Sequence, residues 1–197
     1  MLNIFSLKYW LKKLNNTNYY LFLIYFCSQF LELMNLAILQ QEVDAIIASK
    51  LTKEEKLQAI CDFLESEISY YDWVGFYFKN GDKEELKLAQ FTGEPTEHTI
   101  IPFGKGICGQ VAVSNKNFVV QDVTAQDNYI SCGWKVKSEI VIPIFVNGEN
   151  IGQIDIDSHT ANTFTAKDED LLEYVCEKLS TILWFCWILF YFYLTLM

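Results

Sequence analysis

The chain contains no arginine, and all of its 15 basic residues are lysine. Its formal net charge is −10 over 197 residues. Nucleic-acid phosphates and anionic membrane surfaces attract cationic proteins, and the planar guanidinium group is the side chain best suited to bind phosphate. The composition therefore argues against a protein that binds nucleic acid or an anionic membrane surface.

The sequence also lacks the spacing patterns of metal sites and disulfide frameworks. Its six cysteines form no CxxC pair, and only His98 and His159 could supply imidazole ligands. A disulfide-framed secreted module is shorter and richer in cysteine, and zinc sites have characteristic ligand spacings. We therefore expect no bound metal, and a reducing compartment, the cytoplasm, suits a chain with a few special thiols.

The two ends of the chain differ in composition from the middle. Residues 1–33 contain three Lys, one Glu and a nine-residue apolar run, which is too short to span a bilayer. Residues 184–197 are uncharged and apolar. Three interpretations stay open for these ends: membrane anchors, apolar caps in an oligomer, and non-native extensions with Met34 as an alternative start. The predicted domain is 34–183, between an apolar N-terminal extension and an apolar C-terminal tail.

Helices at both ends of this domain and strands between them predict an α+β fold. Apolar spacing predicts helices near residues 36–47, 52–68, 106–114 and 165–179, and capping boxes begin the second and the last of them. β-Branched and aromatic segments predict strands at 72–78, 85–92, 118–123, 139–145 and 150–156. Asn147-Gly148 joins the last two strands as a hairpin. The natural solution is an antiparallel sheet with helices packed mainly on one face.

Two of the cysteines lie where a thiol could react. Cys108 lies in the first turn of the short helix, where backbone N–H groups and Lys105 would favour the thiolate. Cys132 lies in a loop without periodicity. Cys61 and Cys176, by contrast, lie on apolar helix faces and are predicted to be buried. Spacing alone leaves two alternatives open for the first pair, a redox or nucleophilic role and two unrelated surface thiols.

Three carboxylates and two aromatic rings lie on the predicted strands around these thiols. Asp155 and Asp157 alternate with isoleucine, so they share one strand face, where a cation or a substrate ammonium group would relieve their repulsion. Glu139 opens a neighbouring strand and could equally be solvated. Trp73 and Tyr77 share a face of another strand, where they either pack in the core or form the wall of a binding site.

Seven segments carry a family resemblance that covers roughly residues 36–183. They are WVGFYF, FTGEPTEHTIIPFGKGICGQVAV, VVQDV, YISCG, SEIVIPI, IGQIDIDS and FTAKDEDLLE, in that order. Their order and approximate spacing resemble those of the GAF-domain free methionine-(R)-sulfoxide reductases. The resemblance implies a single GAF domain that reduces free L-methionine-(R)-S-oxide to methionine through a cysteine sulfenic acid and a disulfide, with thioredoxin as the recycling partner.

The resemblance also implies roles for the residues singled out above. Cys132 aligns with the family's nucleophile and Cys108 with a resolving cysteine. The three acids, Glu139, Asp155 and Asp157, align with residues that hold the amino acid and assist proton transfer, and the two aromatic residues, Trp73 and Tyr77, align with the wall around its side chain. The family is cytosolic, often dimeric, and needs neither metal nor cofactor.

The chain departs from the family pattern at two positions. The family commonly has another cysteine about ten residues before the one that aligns with Cys108, and residues 94–99 contain none. Gly133 follows Cys132, where the family often has aspartate. Two further interpretations stay open: a non-catalytic GAF module that senses a small ligand, and a reductase tethered to a membrane through its C-terminal tail.

Overall fold

The computed structural model describes residues 16–126 and 135–195. Contacts within the chain group its residues into two units, Met1–Leu39 and Gln40–Met197. The predicted boundaries of the domain, at residues 34 and 183, stay predictions. Within the part of the chain that the structure describes, no helix combines the length and the apolarity needed to cross a membrane.

Four helices and six strands make up the described chain. In chain order they are α1 (Asn16–Ala48), α2 (Lys53–Glu67), β1 (Trp73–Lys79), β2 (Glu85–Thr92), β3 (Ile100–Pro102), α3 (Gly106–Ser114), β4 (Phe118–Val120), β5 (Ser138–Val146), β6 (Glu149–Ser158) and α4 (Ala166–Thr195). A short 3₁₀ helix, Val123–Ala125, follows β4. The strands form one antiparallel sheet in the order β3-β2-β1-β6-β5-β4.

Local signals in the sequence explain how several of these elements begin and turn. Thr52 and Glu55 form the predicted capping box at the start of α2, with each side chain bound to the other residue's backbone N–H. Asn147 and Gly148, between β5 and β6, have φ angles of 53° and 81°. A type I′ turn requires positive φ at both central residues, so the predicted hairpin is confirmed.

The sheet separates an apolar face from a face that carries polar groups. Paired residues of neighbouring strands point to the same face, and on one face the register aligns Val74 with Ile156 and Ile156 with Ile140. α2 packs against β1 and β2, and α4 packs against β5 and β6. The Cys176 thiol on α4 contacts the carbonyl of Ile142 at 3.7 Å. These two helices cover the apolar face.

The opposite face is covered by α3, the short helix. Its buried residues join an apolar cluster with side chains from β1, β3 and β5, among them Trp73, Ile101 and Val141. Gly109 lets the helix approach closely, because a Cβ at that position would lie 2.5 Å from the carbonyl oxygen of Pro102. The fold is therefore the predicted α+β fold, an antiparallel sheet with most of its helices on one face.

Two predicted segments differ from the structure. The stretch 93–104, where neither a helix nor a strand was predicted, contains β3, because Ile100 and Ile101 pair with β2. The strand expected over 118–123 ends at Val120, since the Asp122 side chain accepts a hydrogen bond from the Thr124 N–H and turns the chain into the 3₁₀ helix.

Candidate active site

Two neighbouring strands, β5 and β6, bring the predicted acids together. The register pairs Asp157 on β6 with Trp73 on β1 and with Glu139 on β5. Two residues earlier, Asp155 pairs with Val141 on β5. Because side chains two residues apart on a strand point the same way, all three acids face α3 rather than the apolar face. We call Glu139, Asp155 and Asp157 the acid cluster.

The acid cluster is buried. Relative exposures are 2 % for Glu139, 1 % for Asp155 and 3 % for Asp157. A charged carboxylate loses its hydration in such a place, so burial favours the protonated form. Burial removes these three acids from bulk water, although all of them would be ionised at neutral pH on a protein surface.

Burial and mutual repulsion raise the pKa of each acid. Burial raises the pKa of Asp155 to about 7, although the hydrogen bond from Cys108 acts in the opposite direction. Burial, then the charges of Asp155 and Asp157, raises the pKa of Glu139 well above its ordinary value. Burial, then the charges of Asp155 and Asp72, does the same to the pKa of Asp157. The cluster therefore holds protons near neutral pH.

A thiol completes this group. Cys108 lies in the first turn of α3, is 3 % exposed, and donates a hydrogen bond from Sγ to Asp155 Oδ2 at 3.1 Å. The close packing of α3 on the sheet places the thiol there. The thiolate expected from the helix N-terminus and Lys105 stays a prediction.

The predicted aromatic wall lies along β1. Trp73 and Tyr77 share the face of the acid cluster, with ring centroids 6.3 Å apart, and Trp73 stacks on Phe91 at 5.6 Å. The indole occupies the space above Gly75, where a Cβ would lie 2.1 Å from the ring. A glycine between the two aromatic residues is thus a condition for this arrangement.

The same two aromatic residues hold the segment after β2, residues 93–99. Trp73 Nε1 donates to the carbonyl oxygen of Glu94 at 3.1 Å, and the Tyr77 hydroxyl donates to the carbonyl oxygen of His98 at 2.9 Å. The Glu94 carboxylate in turn accepts from Lys135. The wall of the site and the segment 93–99 are therefore one connected unit.

Two small cavities adjoin the acid cluster, each of about 10 Å³. One is lined by Trp73, Tyr77, Thr96, Asp155 and Asp157. The other is lined by His98, Ile101, Lys105, Gly106, Ile107, Cys108 and Glu139. A volume of that size holds about one water molecule. All six predicted site residues that the structure describes therefore line one or the other of these two cavities, which an amino acid would have to widen.

A larger cavity lies elsewhere and lacks this chemistry. It measures about 290 Å³ and lies along β5 and α4, lined by Asn117, Ile142, Pro143, Phe145, Glu173, Cys176, Glu177 and Ser180. Burial raises the pKa of the Cys176 thiol, so this sulfur is a poor nucleophile. The same holds for Cys61, whose pKa burial also raises. Both are buried small hydrophobic residues, as predicted.

The ligand atoms of Cys108, Glu139 and Asp155 lie within 4.8 Å of one another, close enough to surround an ion. The Cys108 thiol, however, donates to Asp155, so we interpret the three groups as a thiol with its acids. That the protein works without metal or other cofactor stays a prediction.

Sequence reasoning missed two polar residues at this site. Gln153 is fully buried on the same face of β6, and its position two residues before Asp155 in an alternating strand was the signal. Asp72 precedes β1, raises the pKa of Asp157, and accepts a hydrogen bond from the His159 N–H at 2.7 Å. Cys132, the predicted nucleophile, lies outside the described residues.

The comparisons with known proteins agree with this fold. The family model of the GAF domain matches residues 50–183. A free methionine-R-sulfoxide reductase of Escherichia coli is 31 % identical over 147 residues, which cover 75 % of this chain and 87 % of that protein.

Two solved structures are similar over most of their length. One is a free methionine-R-sulfoxide reductase of Neisseria meningitidis in complex with its substrate, at 32 % identity and a TM-score of 0.70, covering 74 % of this chain and 86 % of that one. The other is the Staphylococcus aureus enzyme in complex with substrate, at 31 % identity and a TM-score of 0.68, covering 75 % and 94 %.

Proposed function

The chain belongs to the GAF-domain family of the free methionine-R-sulfoxide reductases, and from this premise we propose that it reduces free L-methionine-(R)-S-oxide to methionine. The observation that carries the proposal is the buried acid cluster in contact with a thiol. Sulfoxide reduction needs a proton donor at the oxygen and a thiol at the sulfur. Burial supports the first at neutral pH, and Cys108, which we propose as the resolving thiol, lies beside the acids.

In the first step, the Cys132 thiolate attacks the sulfoxide sulfur while a protonated carboxyl of the acid cluster gives its proton to the oxygen. The protonated oxygen then passes to the Cys132 sulfur, the S–O bond and the transient bond between the two sulfurs both break, and methionine leaves with Cys132 as a sulfenic acid. The raised pKa values of Glu139, Asp155 and Asp157 support a carboxyl that still carries a proton at neutral pH.

In the second step, the Cys108 thiol condenses with the sulfenic acid of Cys132. A disulfide forms between the two sulfurs, and the oxygen leaves as water with the thiol proton. The contact between Cys108 Sγ and Asp155 supports this role, because the carboxylate can accept the thiol proton and pass it to the leaving oxygen. Thioredoxin would restore both thiols by exchange. A cytoplasmic location and a homodimer belong to the same proposal.

Binding of the free amino acid follows from charge and shape. Carboxylates of the acid cluster that are ionised pair with the substrate ammonium group, which a methionine sulfoxide inside a peptide lacks. The indole of Trp73 and the ring of Tyr77 face the same space and suit an apolar thioether chain. We therefore expect a preference for the free amino acid over peptides.

The test is NADPH consumption by the full chain with thioredoxin, thioredoxin reductase and free methionine-(R)-sulfoxide. We expect turnover with the R epimer, none with the S epimer, and loss of turnover in Cys132→Ser. Cys61→Ser is the matched control, because it removes a thiol far from the acids and should keep its activity.

A second assay separates the steps. Methionine released in a single turnover without thioredoxin reports the first step alone. Release by the full chain with no steady-state turnover would assign the recycling to a different reductant. No release at all would reject the reductase and favour a GAF module that binds a small ligand without chemistry.

A further inference from the structure

The acid cluster lies beside a fourth polar side chain that takes no part in the steps above. Gln153 precedes Asp155 by two residues on β6, and the register pairs it with Tyr77 on β1 and Pro143 on β5. Its exposure is 0 %. Because side chains alternate along a strand, the amide points to the face of the acid cluster.

Among the described residues, Gln153 has a buried side-chain amide without hydrogen-bond partners. Neither its Nε2 nor its Oε1 has a hydrogen-bond partner, although both atoms are buried. An amide without partners in such surroundings costs folding free energy, whereas an apolar side chain of the same size costs none. A hydrogen-bond partner for the Gln153 amide would remove this free-energy cost.

Asp155 has a buried acceptor atom without a donor. Its Oδ2 accepts from Cys108 at 3.1 Å, while its Oδ1 is buried without a partner. Residues i and i+2 of a strand are about 6.6 Å apart along the chain, a distance that a glutamine and an aspartate side chain can bridge. A donor without an acceptor and an acceptor without a donor therefore lie side by side on one strand face.

We propose that Gln153 is a positioning residue for Asp155. Its amide N–H holds Oδ1 through one buried water molecule, while Oδ2 accepts the hydrogen bond of the Cys108 thiol. With both oxygens held, the carboxyl cannot rotate, and the thiol proton keeps one direction. The pairing itself rests on the burial, the strand positions and the unpartnered atoms of these two residues, and its effect on catalysis rests on the proposed function.

Other titratable groups surround Asp155 and set the conditions of any test. Cys108 faces it from α3, Glu139 from β5 and Tyr77 from β1, while Asp157 lies beside it on β6. A change at Gln153 leaves all of these groups in place. The test therefore substitutes the amide and keeps the acids and the thiol.

The first measurement is a double-mutant cycle on thermal unfolding of the full chain, with Gln153→Met, Asp155→Ala and the double variant. Gln153→Met keeps the side-chain volume and removes the donor. We expect it to lower the Tm by about 2–4 °C in the wild-type background and to be neutral or stabilising with Ala at position 155. An equal shift in both backgrounds, or a higher Tm for Gln153→Met alone, overturns the proposal.

The second measurement needs only the single variant and no enzymatic activity. Iodoacetamide modification of Cys108, followed by peptide mass spectrometry across pH, reports how the thiol is held. We expect Gln153→Met to change the rate at least threefold and to move its pH midpoint. An unchanged rate and midpoint would contradict a hold on Asp155.

Gln121→Met is the matched control. Gln121 also has a buried atom without a partner, Oε1, but its Nε2 donates to the Phe164 carbonyl at 2.7 Å, on another part of the fold. We expect this variant to lower the Tm and leave Cys108 modification unchanged. If the wild-type protein reduces no sulfoxide, the proposed function fails, and these two measurements still decide the role of Gln153.

Discussion

At the scale of single residues, the acid cluster links the chemistry of the site to the stability of the fold. A protonated carboxyl is cheap to bury, and a charged one is costly. The pKa of Asp155 rises from the ordinary 3.8 to about 7, so the folded protein binds this proton more tightly than the unfolded chain. Glu139 and Asp157 shift in the same direction. The raised pKa values thus keep proton donors in the site, and the contribution of these acids to the free energy of unfolding falls as the pH rises.

The contribution of Asp155 to stability should therefore fall as the pH rises from about 4 to about 7. In that window the unfolded chain gives up the Asp155 proton while the folded protein retains it, and each pKa unit is worth about 1.4 kcal/mol. The measurement is the Tm of the full chain against pH. In Asp155→Asn, which cannot ionise, we expect a flatter curve. Wild-type and Asp155→Asn curves of the same slope would contradict a raised pKa at Asp155.

Cys108→Ser should separate the two chemical steps. A serine hydroxyl still donates to Asp155 Oδ2, so the acid cluster keeps its hydrogen bond while the resolving thiol is lost. We expect methionine release in a single turnover to persist and thioredoxin-coupled turnover to be abolished. Mass spectrometry should find the link between Cys108 and Cys132 only in the wild type. Full steady-state turnover by Cys108→Ser would assign resolution to another cysteine.

At the scale of elements, β1 and the segment 93–99 form one side of the site. Trp73 and Tyr77 each donate a side-chain hydrogen bond to a backbone carbonyl of this segment. The aromatic wall and the segment 93–99 are therefore held together. The indole needs the space above Gly75. Widening the space beside the acid cluster for an amino acid therefore involves the contacts of these two aromatic residues.

Gly75→Ala should disturb this wall. The new Cβ would lie 2.1 Å from the indole ring, so Trp73 must move. Overpacking of this kind costs about 1–3 kcal/mol. We expect a lower Tm and a raised KM for the sulfoxide, because the wall and the segment 93–99 shift together. Gly81→Ala is the control: its φ of 62° is strained for alanine, but the position has open space and lies at a turn. It should lower the Tm and leave KM unchanged.

Signals local in sequence predicted most elements of this fold. The capping box at Thr52 and the turn at Asn147-Gly148 depend on residues a few positions apart, and the structure confirms both. β3 was not predicted, because three residues carry too little periodicity and only pairing with β2 makes them a strand. Sequence alternation placed Asp155 and Asp157 on one face, but their burial and the contact of Cys108 with Asp155 depend on how α3 packs.

At the scale of the whole molecule, the exposed apolar side chains are distributed unevenly along the chain. In the unit Met1–Leu39, the described side chains of α1 include eight large hydrophobic residues that are 45–66 % exposed: Leu21, Ile24, Tyr25, Phe26, Phe30, Leu33, Met34 and Ile38. The later part of the same helix belongs to the other unit. There Val43 is fully buried, and Asp44 accepts from Tyr174 and pairs with Lys178.

Deletion of residues 1–33 tests whether the extension belongs to the domain. The contacts of Val43 and Asp44 remain after such a cut, so we expect the stability of the shortened protein to stay within about 0.5 kcal/mol of the full chain. Sulfoxide reduction should persist. Exposed apolar side chains favour association, so the binding of a hydrophobic dye and the concentration-dependent self-association should both fall.

The matched control is Phe30→Lys in the full chain, which reduces the exposed apolar surface of α1 without shortening it. Dye binding and sedimentation velocity, measured on both variants beside the wild type, should change in the same direction. A large loss of Tm or of turnover in the deletion, with Phe30→Lys unaffected, would show that residues 1–33 support the domain. The boundary at Met34 would then be wrong, and the extension would have to be counted as part of the enzyme.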